Sequence, residues 1–116
     1  MSRVTCAVFL CCVLNACGET FIEVEARSDT LVAGSIDNVV FEFLETSLGP
    51  QFESRTLNVS ELPLFVIFES EASVPNPLWL NVEARRENQI VEGRLIEFEY
   101  EPNEVNRLTV LLIAPE

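Results

Sequence analysis

From Thr20 onward the chain alternates apolar and polar residues with a period of two, the spacing of a strand whose side chains point to opposite faces. "TFIEVEA" (20–26) sets Ile22, Val24 and Ala26 on one face and Glu23 and Glu25 on the other. "VVFEFLE" (39–45) does the same with Val39, Phe41 and Phe43, and "FESRTLNV" (52–59) reads as a more polar strand after the Gly49-Pro50 break. "LPLFVIF" (62–68) is apolar in both phases, the pattern of a strand covered on both faces. Pro63 fits its first position, where no ladder donor is needed. "LWLNVEARR" (78–86) turns Leu78, Leu80, Val82 and Ala84 inward, and "QIVEGRLIEFEYE" (89–101) follows a turn at Glu87-Asn88, where Asn tolerates the left-handed conformation. In that segment the inward phase slips, with Val91 and Leu95 odd but Ile96, Phe98 and Tyr100 even. The slip predicts a β-bulge near 93–95, around Gly93. "RLTVLLI" (107–113) closes the series after Pro102-Asn103.

Seven strand segments punctuated by Gly, Pro, Asn and Asp, with no amphipathic helix among them, predict an all-β fold. At this spacing the expectation is an immunoglobulin-like antiparallel β-sandwich of about seven strands, occupying residues 20–116. The Cys…Trp…Cys signature of antibody domains is absent. Trp79 shares the polar phase of its strand with Asn81 and Glu83, so it is expected to be partly exposed.

Ahead of these strands the pattern changes. Met1-Ser2-Arg3 is positively charged, and Val4 to Leu14 is apolar apart from Thr5. Such a run is shorter than the roughly 20 apolar residues that cross a bilayer, and within the 7–15 of a signal-peptide core. All four cysteines, Cys6, Cys11, Cys12 and Cys17, lie in this part of the chain, so none can cross-link the strands. Leu14-Asn15-Ala16-Cys17 resembles a bacterial lipobox, with its aliphatic residue at −3, small residue at −1 and Cys at +1; Asn15 at −2 is not the commonest choice. The resemblance implies a thioether-linked diacylglycerol on Cys17, cleavage just before it, and often acylation of the new amino terminus. Residues 1–16 would then be a removed signal peptide, and 17–19 the lipidated Cys and a short tether. Two or more acyl chains hold stably, at about 0.8 kcal/mol per buried CH₂. The alternative is ordinary cleavage at an Ala-X-Ala-like site, leaving a lone thiol in an oxidising compartment.

Composition narrows the function further. The chain beyond the leader has the length of one domain, about 100 residues, which buries somewhat more than 60% of its unfolded surface without disulfides or metal. Nineteen carboxylates face six arginines once Arg3 leaves with the leader, a net charge near −13, and lysine and histidine are absent. Nucleic acid needs a basic footprint, and an anionic lipid surface binds basic residues, so both are excluded as contacts of the domain itself. The acidity itself reads first as a solubility device. Without histidine, and with no thiol beyond Cys17, the Ser-His-Asp and Cys-His arrangements cannot be built. Nor can the usual zinc, copper or haem ligand sets. Oxygen sites for calcium or magnesium remain.

The stretch from Phe21 to Ile113 resembles the small β-sandwich that follows the lipobox in envelope lipoproteins of the myxobacterial type. The shared order of phrases is Ile22-Val24-Ala26, then Ile36 to Phe43, Leu62 to Phe68, Val82 to Arg85, and Tyr100 to Leu112, each consisting mostly of strand grammar. Larger modules often follow the sandwich in such proteins, so a chain ending at Pro115-Glu116 is expected to be a minimal version or a fragment. Gly18 at +2 is not the Asp that favours inner-membrane retention in enterobacterial lipoproteins, which by resemblance favours the outer membrane.

Few constellations could carry chemistry. Glu97, Glu99 and Glu101 alternate along one strand, with Glu104 in the next turn and Glu83 across the hairpin. Such a row offers oxygen ligands to calcium, although a flat strand face does not wrap an ion as a calcium loop does. The plainer reading is a solvated outer face partly neutralised by Arg85 and Arg94 in cross-strand pairs. Paired carboxylates also serve glycoside hydrolysis, but a domain this small has little wall for a cleft, and no enzyme is expected. A carbohydrate-binding surface would draw on Trp79, Phe21, Phe65 and Tyr100. Asn58-Val59-Ser60 matches a glycosylation acceptor, a match expected by chance in a bacterial protein. The reading is therefore a lipid-anchored cell-envelope protein with no cofactor. Its sandwich is a structural or protein-interaction module whose partner is another envelope protein. Adhesion or carbohydrate binding, and divalent-ion binding, are the alternatives.

Overall fold

In the computed structural model, which describes residues 19–70 and 75–115, the period-two segments become seven strands. They are β1 (Thr20–Arg27), β2 (Asn38–Leu44), β3 (Gln51–Leu57), β4 (Leu64–Ser70), β5 (Leu78–Arg86), β6 (Gln89–Phe98) and β7 (Val105–Leu111). No helix interrupts them among the described residues. They form a three-stranded sheet in the order β4-β1-β7 and a four-stranded sheet in the order β3-β2-β5-β6. The expected all-β sandwich of seven strands is the architecture of the chain.

The strand order carries two differences from expectation. Neighbours are antiparallel except β1 and β7, which run parallel from Phe21↔Val105 to Arg27↔Leu111. The partition also differs from that of an immunoglobulin constant domain, which places strands A, B, E and D in one sheet and C, F and G in the other. Here the first strand lies between the fourth and the seventh, and the second between the third and the fifth.

The register fixes two poles. Thr20 of β1 pairs with Ser70 of β4, and Leu44 of β2 with Trp79 of β5. The amino terminus of β1 therefore shares one pole with the connections 45–50 and 99–104 and with residues 75–77 ahead of β5. The connections 28–37, 58–63 and 87–88, together with the carboxy-terminal segment, lie at the other.

Between the sheets lies the core that the alternation foretells. Ile22, Val24 and Ala26 face Val39, Phe41, Phe43, Leu80, Val82 and Ala84, all buried. Phe68 of β4 meets Phe41 at 5.6 Å and Phe43 at 4.7 Å between ring centroids, the latter edge to face, so three rings join the two sheets.

Two local expectations change. β4 is not covered on both faces: as an edge strand it buries Val66 and Phe68 but leaves Phe65 and Ile67 on an open outer surface. The bulge in β6 also falls earlier than 93–95. Ala84 pairs with Glu92 and Arg85 with Ile90, which leaves Val91 as the extra residue. From there on, Glu92, Arg94, Ile96 and Phe98 share the inner phase opposite Ala84, Val82, Leu80 and Leu78. Leu95 is consequently an outer, exposed residue.

Candidate functional site

The pole where β1 begins is tightly held. The Thr20 hydroxyl, on a buried residue, accepts from the Asn103 N–H at 2.7 Å, and the Phe21 N–H donates to the Glu104 carbonyl at 3.0 Å. Asn76 clasps Tyr100 through both backbone groups, its Nδ2 donating to the Tyr100 carbonyl at 2.8 Å and its Oδ1 accepting from the Tyr100 N–H at 3.2 Å. Asn106 does the same for the 99–104 connection, with Oδ1 accepting from the Glu101 N–H at 2.7 Å and Nδ2 donating to the Phe21 carbonyl at 3.2 Å. Asparagine suits this work because one amide both donates and accepts. Its frequency in turns is legible in the sequence, but its partners are not. Cys17, the expected lipidation site, and Gly18 lie outside the described residues; the described chain reaches back to Glu19, next to the clamped Thr20.

The four carboxylates expected to offer a calcium site occupy this same pole without gathering. β6 ends at Phe98. Glu97 stands on the outer face of its sheet opposite Trp79, while Glu99, Glu101 and Glu104 follow in the connection to β7, all exposed. Glu97 and Glu99 border an open hollow of about 320 Å³ with Pro77 and Phe98. Among the described residues no group of three or more carboxylates or other ligand side chains is placed to hold a metal ion. The expected neutralising partners also sit elsewhere. Arg85 donates through Nε to Glu83 of its own strand at 2.9 Å, with Nη2 closing on the same oxygen. Arg94 points to the inner phase and donates to the Leu111 carbonyl at 3.5 Å.

Of the aromatic residues nominated for carbohydrate, Phe21 and Tyr100 are buried, Trp79 is half-buried as its phase foretold, and Phe65 is exposed. They do not form one exposed row.

A second hollow, about 360 Å³, lies on the outer face of the four-stranded sheet where the carboxy-terminal segment crosses β6. Its floor is Gly93, which exchanges both backbone hydrogen bonds with Ile113, at 2.9 and 3.2 Å. A Cβ on Gly93 would approach the Val82 carbonyl to 3.2 Å, so glycine is what allows the strands to close here. Ile90, Leu95 and Ile113 form apolar walls, and Asn81 and Glu83 the polar side. The Asn81 amide ties Glu83 and Glu42 together, at 2.9 and 3.2 Å. The hollow is open, and its polar groups already satisfy one another.

Sequence reasoning missed one notable group, Glu92. It is buried on the inner phase of β6, where its carboxylate accepts from the Ser28 hydroxyl at 2.7 Å and from the Thr30 hydroxyl. Ser28 Oγ in turn accepts from the Thr30 and Leu31 N–H groups at 3.1 and 3.0 Å. The arrangement fixes the start of the 28–37 connection. No protein-family profile, curated protein or solved structure matches this chain.

Proposed function

We propose that the chain is a lipid-anchored protein of the bacterial cell envelope whose β-sandwich acts as a structural or protein-interaction module rather than as an enzyme. The observation that carries this reading is the joint between motif and fold. Leu14-Asn15-Ala16-Cys17 ends two residues before Glu19, and the first strand begins at Thr20 with its hydroxyl already clamped. An acylated Cys17 would thus hold a firmly built pole of the sandwich close to the bilayer, with no flexible stalk between. The acidity of the domain supports the same reading, since the acyl chains and not the protein surface supply the membrane affinity. The partner is another envelope protein, and the outer membrane is the favoured location.

The test is the intact mass of the protein recovered from the membrane fraction of its expressing host, beside a Cys17→Ser variant. The reading expects a chain beginning at Cys17 and heavier by two or three acyl chains, with the variant unlipidated and released. A soluble, unmodified wild-type chain would sink it.

A further inference from the structure

A strand at a sheet edge presents a row of unpaired N–H and C=O groups, and proteins blunt such rows with inward-pointing charges, bulges or covering segments. This sandwich has four edges, β4 and β7 in one sheet, β3 and β6 in the other. Two carry a device of this kind along their length, and a third is met at one end. β3 turns Glu53 and Arg55 to the inner phase, in register with Phe43 and Phe41. They pair at 3.8 Å, and the Arg55 guanidinium lies 4.7 Å over the Phe68 ring. β6 carries inward Glu92 and Arg94, the bulge at Val91, and the Ile113 crossing at Gly93. β7 leads directly into that crossing, and Arg94 reaches its Leu111 carbonyl.

Among the described residues β4 has none of these. Its inner phase, Leu64, Val66 and Phe68, holds no charge, and its outer phase exposes Phe65 by 63% and Ile67 by 47%. We infer that the edge of β4 is a strand-pairing site whose occupant is an extended segment of another protein that carries, at alternate positions along one face, apolar residues followed by a lysine or arginine. This identifies the kind of partner for the interaction module proposed above, and its choice against a second copy rests on that reading.

Charge selects the occupant. Glu23 and Glu25, beside Ile67 and Phe65 on the same outer face, already pair with Arg107 at 2.9 Å and Arg27 at 3.7 Å. Glu69, exposed on β4 itself, is therefore the acid that faces an added strand, in a chain that carries −12 with no lysine or histidine. Apolar residues of an added strand would cover Phe65 and Ile67, and a cation would meet Glu69. A second copy fits poorly. Pairing β4 with β4 about a two-fold axis runs the strands antiparallel and sends the two β1 poles to opposite ends, so two chains anchored through Cys17 could not pair this way on one membrane. It would also bring two strongly negative domains together.

The experiment uses the full chain purified from membranes in detergent. It is probed with a synthetic peptide that sets two valines and a lysine at successive alternate positions with threonine between them, and with a second peptide in which glutamate replaces lysine. Binding is followed by fluorescence anisotropy and by backbone hydrogen exchange. The lysine peptide is expected to bind and to slow exchange along 64–69, and the glutamate peptide to bind at least tenfold more weakly. Phe65→Glu combined with Ile67→Glu changes only exposed positions, and an unchanged melting temperature reports that the fold survives. That variant is expected to lose about tenfold or more in affinity for the lysine peptide. Equal binding of the two peptides, protection at β3 in place of β4, or full affinity in the double variant overturns the proposal. Protection of β4 that grows with protein concentration in the absence of peptide also overturns it, in favour of a second copy. Running the Cys17→Ser chain in parallel separates the two readings: an unlipidated wild-type chain that still binds the lysine peptide through β4 defeats the anchor and leaves the edge.

Discussion

Glu92 occupies a position that alternation assigns to an apolar side chain, and it is tolerable there only because two hydroxyls reach it. A buried carboxylate without donors is costly, while hydrogen bonds to a charged group are among the stronger ones. Glu92→Ala removes the acceptor of the half-buried Ser28 hydroxyl and of the exposed Thr30 hydroxyl, and is expected to lower stability by about 1–3 kcal/mol through the loss of two hydrogen bonds to a charged group. Glu92→Gln keeps an acceptor oxygen and should lose less; urea unfolding of both variants at constant m-value checks the order. Phe68 is the opposite case, a residue whose burial is plain from the sequence but whose reach is not. It touches Phe41, Phe43 and Arg55 across the sheet interface. Phe68→Ala is expected to cost about 3–5 kcal/mol. Against the 5–15 kcal/mol typical of a whole domain, that cost puts the variant near the edge of folding, read as a large fall in the urea midpoint. Phe68 was legible because its type matches its environment. Glu92 was not, because its residue type argues for solvent and only Ser28 and Thr30, more than sixty positions away, argue otherwise.

At the scale of elements, the strands other than β4 could be read from period-two alternation, since that pattern reflects one buried and one open face and needs no knowledge of neighbours, and β4 could be read from its short unbroken apolar run. Which strands pair could not. The parallel contact of β1 with β7 joins the two ends of the domain, and no local signal specifies it. The outer apolar residues of β4 suggested a covered strand because composition cannot tell a buried face from an edge kept apolar. The slip points to Gly93, yet the extra residue is Val91, and at Gly93 the absence of a Cβ instead eases a close approach to the Val82 carbonyl. The β5–β6 turn, by contrast, is where sequence chemistry is visibly imperfect. Glu87 and Asn88 both adopt positive φ, 53° and 65°, the requirement of a type I′ hairpin turn, which Asn-Gly fills best. A glutamate there bears a steric cost that Asn escapes more easily. Replacing Glu87→Asn together with Asn88→Gly is therefore expected to stabilise the domain by about 0.5–2 kcal/mol. The corresponding rise in melting temperature is about 4–8 °C per kcal/mol for a domain this size. The Glu87 N–H that donates to Asp37 at 2.7 Å is a backbone group and survives the change.

Across the whole molecule, acid outweighs base at both poles. Glu45, Glu69, Glu97, Glu99, Glu101 and Glu104 lie toward the end where β1 begins, while at the other Arg27, Arg85 and Arg86 offset Asp29, Asp37, Glu61 and Glu87 only in part. Under the anchored reading proposed above, so acidic a surface would be repelled by anionic headgroups rather than lie flat upon them. It also destabilises the fold through self-repulsion, in a way that salt relieves. Screening lengths shrink from about 30 Å at 0.01 M to about 10 Å at 0.1 M, which is the range over which these carboxylates act on one another. The melting temperature is thus expected to climb with sodium chloride over that interval and then level off. Calcium chloride at matched ionic strength separates screening from binding. Glu97 projects from a sheet face, Glu99, Glu101 and Glu104 from a connection, and the hollow beside them is open to water. No wrapped set of oxygens awaits an ion there, and the two salts should give the same rise. A further increase at submillimolar calcium, saturating with concentration, would mean that the folded state alone binds the ion. The carboxylates of residues 97–104 would then have to close around it by moving the 99–104 connection. Because Asn106 ties that connection to the Phe21 carbonyl, Asn106→Ala should free it to move and strengthen any such calcium effect, whereas a response due only to screening would be unchanged by it.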